Sequence, residues 1–123
     1  MRRLALLGLF AIAGCVTPSI PIPPPDPARM NFDVTIVGTT SNAVFTYPPE
    51  QNYVDSIVYV FNRDRGTGII TTARPDGSVG PTDPLPAALG EQIVVTFEHD
   101  EQTVSTCIRL RDGAQSSTDY CNP

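Results

Sequence analysis

The chain contains no lysine and no tryptophan, a single histidine, three cysteines and no apolar run long enough to cross a bilayer. Each shortage closes off a class of function. The segment from Cys15 to Pro123 keeps six arginines against thirteen acids, a formal charge of −7. Nucleic-acid binding requires cationic side chains that displace phosphate counterions, and this surface has the wrong sign. A polybasic membrane footprint is excluded for the same reason. The one histidine, His99, stands in Glu98-His99-Asp100-Glu101-Gln102. Neighbours in sequence do not make a catalytic triad, so a solvated turn is expected there and no catalysis. The same acids lack the D-x-D-x-D-G spacing of a calcium loop. Zinc would need more histidine and cysteine than the chain has to offer. No metal, cofactor or enzymatic activity is therefore expected.

What is present begins with a targeting segment. Met1-Arg2-Arg3 is positive, and Leu4 to Ala13 is uncharged and apolar apart from Gly8. Spanning a bilayer takes ~20 helical residues, so this stretch suits the apolar region of a signal peptide covering residues 1–14. Ile12-Ala13-Gly14-Cys15 follows. An aliphatic residue and two small ones before a cysteine resemble the lipobox of bacterial lipoproteins. The resemblance implies cleavage between Gly14 and Cys15 and membrane attachment through acyl chains on Cys15. Two or more chains anchor stably where one does not. In such lipoproteins an Asp after the cysteine favours retention in the inner membrane. Val16 stands here instead, so the resemblance implies the outer membrane, on its periplasmic or surface face.

Six of the sixteen residues from Val16 to Asn31 are proline. Proline fixes φ and restricts its predecessor, which predicts extended polyproline II. With the cysteine, residues 15–31 read as a tether reaching roughly 40–50 Å at ~3.1 Å per residue. A passive spacer and a docking strip for an aromatic groove are both consistent with this composition.

From Asn31 onward apolar residues alternate with polar ones in short runs: Phe32, Val34, Ile36; Ala43, Phe45, Tyr47; Ile93, Val95, Phe97; Val104, Thr106, Ile108, Leu110. Val54 to Phe61 and Gly68 to Ala73 add two further runs. Period-two alternation of β-branched and aromatic residues is the half-buried strand signal. The breakers between them include Pro48-Pro49, Asn62 to Gly66, Asp76-Gly77, Gly80-Pro81, Gly90, His99 to Glu101 and Asp112-Gly113. Several lie at hairpin spacing. Only Pro86 to Leu89 is a candidate for a short helical turn. The expected fold is all-β, a small antiparallel sandwich over residues 32–123.

Asp76-Gly77-Ser78-Val79, Leu85-Pro86-Ala87-Ala88-Leu89-Gly90-Glu91 and Ile93 to Phe97 are similar to the later half of bacterial immunoglobulin-like and carboxypeptidase-regulatory-like modules. There a D-G-S turn opens a strand, a Leu-Pro corner follows, and Gly with an acid starts the next strand. Gly80-Pro81-Thr82-Asp83-Pro84 departs from that pattern, because a continuous strand would run there. The resemblance implies a spacer or binding domain and no activity.

If Cys15 carries lipid, Cys107 and Cys121 remain for an oxidising compartment. A bridge between them would clip the polar tail onto the sheet; a redox pair is the rival reading, although CxxC spacing is missing. The segment Ile57 to Phe61 is apolar on both faces, with Ile57, Tyr59 and Phe61 on one side and Val58 and Val60 on the other. Either this is a central strand whose outer face the tail covers, or Tyr59 and Phe61, or Val58 and Val60, form a patch for a partner. The functional expectation is a membrane-anchored, non-catalytic binding or accessory module with an envelope protein partner. Its alternative is a structural surface lipoprotein without a specific partner.

Overall fold

The computed structural model describes residues 20–123. The signal peptide, Gly14, Cys15 and the first part of the tether lie outside the described residues. The remainder is a β-sandwich of two antiparallel sheets.

One sheet contains β1 (Asn31–Val37), β2 (Thr40–Thr46), β5 (Leu85–Pro86) and β8 (Gly113–Ala114), in the order β5-β2-β1-β8. The other contains β3 (Ile57–Asn62), β4 (Thr67–Thr72), β6 (Gln92–His99), β7 (Gln102–Arg109) and β9 (Tyr120–Cys121), in the order β4-β3-β6-β7-β9. The alternation in the sequence places Phe32, Ala43, Phe45, Ile93, Val95, Phe97, Ile108 and Leu110 between the sheets, all buried. Five aromatic rings run through this core, from Phe32 and Phe45 through Tyr47 to Tyr53 and Phe97.

Several local expectations change. The run from Val54 is a strand only from Ile57, because Gln51–Tyr53 forms a 3-10 turn capped by the Glu50 side chain. Pro86 to Leu89 is no helical turn. Leu85–Pro86 pairs with Ala43 and Asn42 at the sheet margin, where a residue without an N–H is tolerated. After Asp76-Gly77-Ser78, Val79 makes only an isolated bridge with Tyr47 before the chain turns through a cis Gly80–Pro81 bond. Ile36 shares the parity of Phe32 yet is exposed: burial on this face of β1 falls from Phe32 through half-buried Val34 to Ile36, towards the β1–β2 turn. The β6–β7 hairpin closes on Asp100 and Glu101, both at positive φ, as a tight two-residue turn requires.

The proline segment departs most from its expectation. Met30, at its end, is completely buried in the core, and Pro25 is buried as well. Tether residues 20–31 are held on the sandwich rather than projecting from it. Proline carbonyls have no neighbouring proline N–H to pair with, so side chains of the domain supply the donors. The Tyr53 hydroxyl donates to the Pro23 carbonyl at 2.6 Å, and the Thr106 hydroxyl to the Pro25 carbonyl at 2.7 Å. The Asp26 N–H donates to the Tyr47 hydroxyl at 3.1 Å.

Cys107 and Cys121 form a disulfide, pairing β7 with β9. It closes a loop with a sequence separation of 14. Loop-closure entropy alone then gives about 3 kcal/mol. The double variant Cys107→Ser/Cys121→Ser is expected to lose about that much in urea unfolding, with β9 detached and the core strands still protected from amide exchange.

Candidate functional site

The residues singled out on β3 separate cleanly by parity. Val58 and Val60 are 0% and 1% exposed and point into the core, which removes them as a partner patch. Ile57 and Phe61 are 40% and 41% exposed on the opposite face, with Tyr59 half-buried between them. The tail does not cover this face. The tail strand β9 pairs with β7 at Cys107 and Ile108, and β6 and β7 lie between it and β3.

Strand β4 enlarges the face. Tyr59 stands opposite Ile70, and Phe61 opposite Gly68. Ile70 is 71% exposed. A Cβ built at Gly68 would lie 3.0 Å from Phe61 Cδ2 and 2.8 Å from the Val60 carbonyl oxygen, so the aromatic ring rests on the glycine. Aromatic cover over a strand glycine is a known device for holding a sheet margin. Tyr59, Val60, Phe61, Gly68, Ile69 and Ile70 line a shallow groove of about 340 Å³. The sequence carried a signal for Ile70: of two consecutive isoleucines in a strand, only one can face the core. Ile69 is the one packed against it.

β4 is also the outermost strand of its sheet. The Ala73 N–H donates to the Ser56 carbonyl at 2.8 Å. By the antiparallel alternation, Val58/Thr71 and Val60/Ile69 are then hydrogen-bonded pairs. The main-chain groups of Gly68, Ile70 and Thr72 therefore face away from β3, along the margin. Thr67–Thr72 has no charge and no proline to blunt that edge.

At one end of the apolar face the Tyr59 hydroxyl donates to Glu98 at 3.0 Å, which holds the phenol above its ordinary range. His99 lies at the same end of the sheet, 3.1 Å from Asp100 in the β6–β7 turn. Among the described residues, no three His, Cys, Asp or Glu side chains converge as a metal site would require.

A second, polar depression of about 380 Å³ is lined by Arg63, Gln92, Arg109, Tyr120, Cys121 and Asn122. Both of its cations already have partners: Arg63 donates to the Asn122 carbonyl, and Arg109 meets Asp119 at 3.4 Å. Comparison of the chain with protein-family models, curated proteins and solved structures finds no match.

Proposed function

We propose that this chain is a lipid-anchored cell-envelope module, non-catalytic, that binds a protein partner through the outer face of β3 and β4. The observation that carries the reading is the exposed band of Ile57, Phe61 and Ile70 beside an unblocked sheet edge. Contiguous apolar surface next to free main-chain donors and acceptors suits an extended segment that adds a strand and seats alternate side chains. The lipobox-like Ile12-Ala13-Gly14-Cys15 supports attachment through Cys15, and Val16 supports the outer membrane. Two antiparallel sheets joined in this way are compatible with an immunoglobulin-like domain, a scaffold for many such modules.

The test is in-cell cross-linking and affinity capture of the full-length tagged protein, compared with Phe61→Glu and Ile70→Glu. Ile70 is 71% exposed, so Ile70→Glu is expected to unfold within about 1 kcal/mol of the parent, whereas Phe61→Glu also loses the cover over Gly68 and is compared only after circular dichroism shows it folded. Capture of a stoichiometric envelope protein should be lost in both. Unchanged capture would place the interface elsewhere, and recovery of only abundant membrane proteins would favour a structural lipoprotein.

A further inference from the structure

The proline segment reads in sequence as a long free spacer, yet its second half is strapped to the domain. Beyond the three hydroxyl contacts, the Gln102 side chain clamps the strap where it leaves. Its Nε2 donates to the Ile20 carbonyl at 2.9 Å, and its Oε1 accepts from the Ile22 N–H at 2.8 Å. One amide side chain thus makes the pair of bonds that a neighbouring strand residue would make. Reading from Ile20 to Pro25, the strap runs along β7 from Gln102 to Thr106. Gln102, Val104 and Thr106 share the inward parity of Ile108, so the strap lies on the inward side of β7, along its half-buried first part.

We infer that the strap holds the domain close to the membrane, with the β6–β7 turn facing the lipid surface. This rests on the reading of Cys15 as the lipid-bearing residue. Only residues 16–19 separate Cys15 from the first clamped residue, Ile20. Fully extended, the chain from Cys15 to Ile20 spans at most about 18 Å, against the roughly 40–50 Å of a free proline tether. The clamp sits beside His99-Asp100-Glu101, so that turn is the end brought near the bilayer. The opposite end carries the β3–β4 turn, since Asn62 pairs with both Thr67 and Ile93 at the start of β6. Along β6 the two ends are about 25 Å apart at ~3.4 Å per residue. Glu98, Asp100 and Glu101 at the near end are repelled by anionic headgroups, which makes zwitterionic lipid the suitable surface for a test.

The experiment places a fluorescent amino acid at exposed Thr103, near the clamp, or at exposed Thr67, at the far end. The lipidated protein is reconstituted in phosphatidylcholine vesicles with acceptor-labelled headgroups. Strong energy transfer is expected from position 103 and transfer near background from position 67. Inserting about ten Gly/Ser residues after Thr17, outside the domain, should drop position 103 to the level of position 67. Gln102→Ala should lower transfer from position 103 part of the way, because it frees Ile20 and Ile22 while Tyr53 still holds Pro23, with folding checked by circular dichroism. Equal transfer from the two positions, or no effect of the insert, would overturn the inference. The mass of Cys15 is measured in parallel. If no acyl group is found, the lipoprotein reading fails by itself. The same chain coupled through the Cys15 thiol to a maleimide phospholipid then still decides the geometry.

Discussion

Gly77→Ala is expected to destabilise the domain by about 3–4 kcal/mol, lowering the melting temperature by about 15 °C. Two costs combine. Gly77 has φ +83°, in the left-handed region, where a Cβ costs of order 1–3 kcal/mol. A Cβ there would also lie 1.8 Å from the Glu50 carbonyl oxygen. Glu50 cannot retreat cheaply. Its N–H donates to the Asp76 carbonyl at 3.1 Å, and its carbonyl accepts from the Tyr53 N–H at 3.0 Å. Its carboxylate accepts from Arg29 at 2.6 Å, which keeps it below the ordinary carboxylate range. The control is Gly90→Ala. Gly90 has φ +87° with nothing within 4 Å of the added Cβ, so only the conformational cost remains, about 1 kcal/mol. Calorimetry of the two variants separates backbone conformation from close approach. Equal losses would show that contact with Glu50 contributes nothing.

Phe97→Ala is expected to cost about 3–5 kcal/mol, a large share of the 5–15 kcal/mol typical of a domain. Phe97 is fully buried, stacked on Tyr53 at 4.1 Å between ring centroids and edge-on to Tyr47 at 5.5 Å. Removing it leaves a cavity bordered by the two tyrosines whose hydroxyls hold the strap, so the Asp26 N–H, which donates to the Tyr47 hydroxyl, should lose amide-exchange protection with the core. Phe97→Leu keeps most of the volume and should lose under half as much. Urea midpoints at unchanged m-value measure both. A loss near 1 kcal/mol for the alanine variant would mean that the core collapses onto the gap. The same cluster sets the alkaline limit. Burial raises the Tyr47 and Tyr53 phenols above their usual value near 10. A raised folded-state pKa confers stability that is complete below the unfolded value and declines as pH rises past it. The parent should therefore weaken from about pH 10 upward, and Tyr53→Phe should show less of that decline.

These two sites differ in how visible they were. Phe97 is legible from the chain because Ile93, Val95 and Phe97 alternate with polar neighbours, and side chains of a strand alternate strictly between faces. Gly77 is legible only as a turn residue; its neighbour Glu50 is distant in sequence. Asn62 shows the same limit. In sequence it opens a run of turn residues, yet it is fully buried. Its Nδ2 donates to the Pro86 carbonyl at 3.1 Å, and its Oδ1 accepts from the Asp64 N–H at 3.0 Å. Gln115 likewise reads as solvated tail, and is buried with its amide bonded to Arg111 and Gly113. A polar side chain enters a core wherever main-chain groups of folded loops satisfy it, and their positions are not local information.

The sequence by itself determined the all-β class and, Ile36 apart, the inward residues of the long strands, both from period-two alternation. It offered Cys107 and Cys121 as a pair only on the reading that Cys15 carries lipid, and the structure shows the bridge. The sequence also defined the two faces of Ile57 to Phe61, but not which was open. Only the tertiary structure decided that Val58 and Val60 are core, and that Ile70 joins Phe61 on an outer face the tail does not reach. It also showed that the proline segment is strapped down by Gln102, Tyr53 and Thr106. The physical reason is common to all three. Alternation is a property of one strand, whereas the order of strands and the donors that meet a proline carbonyl come from residues far apart in the chain, brought together only by packing.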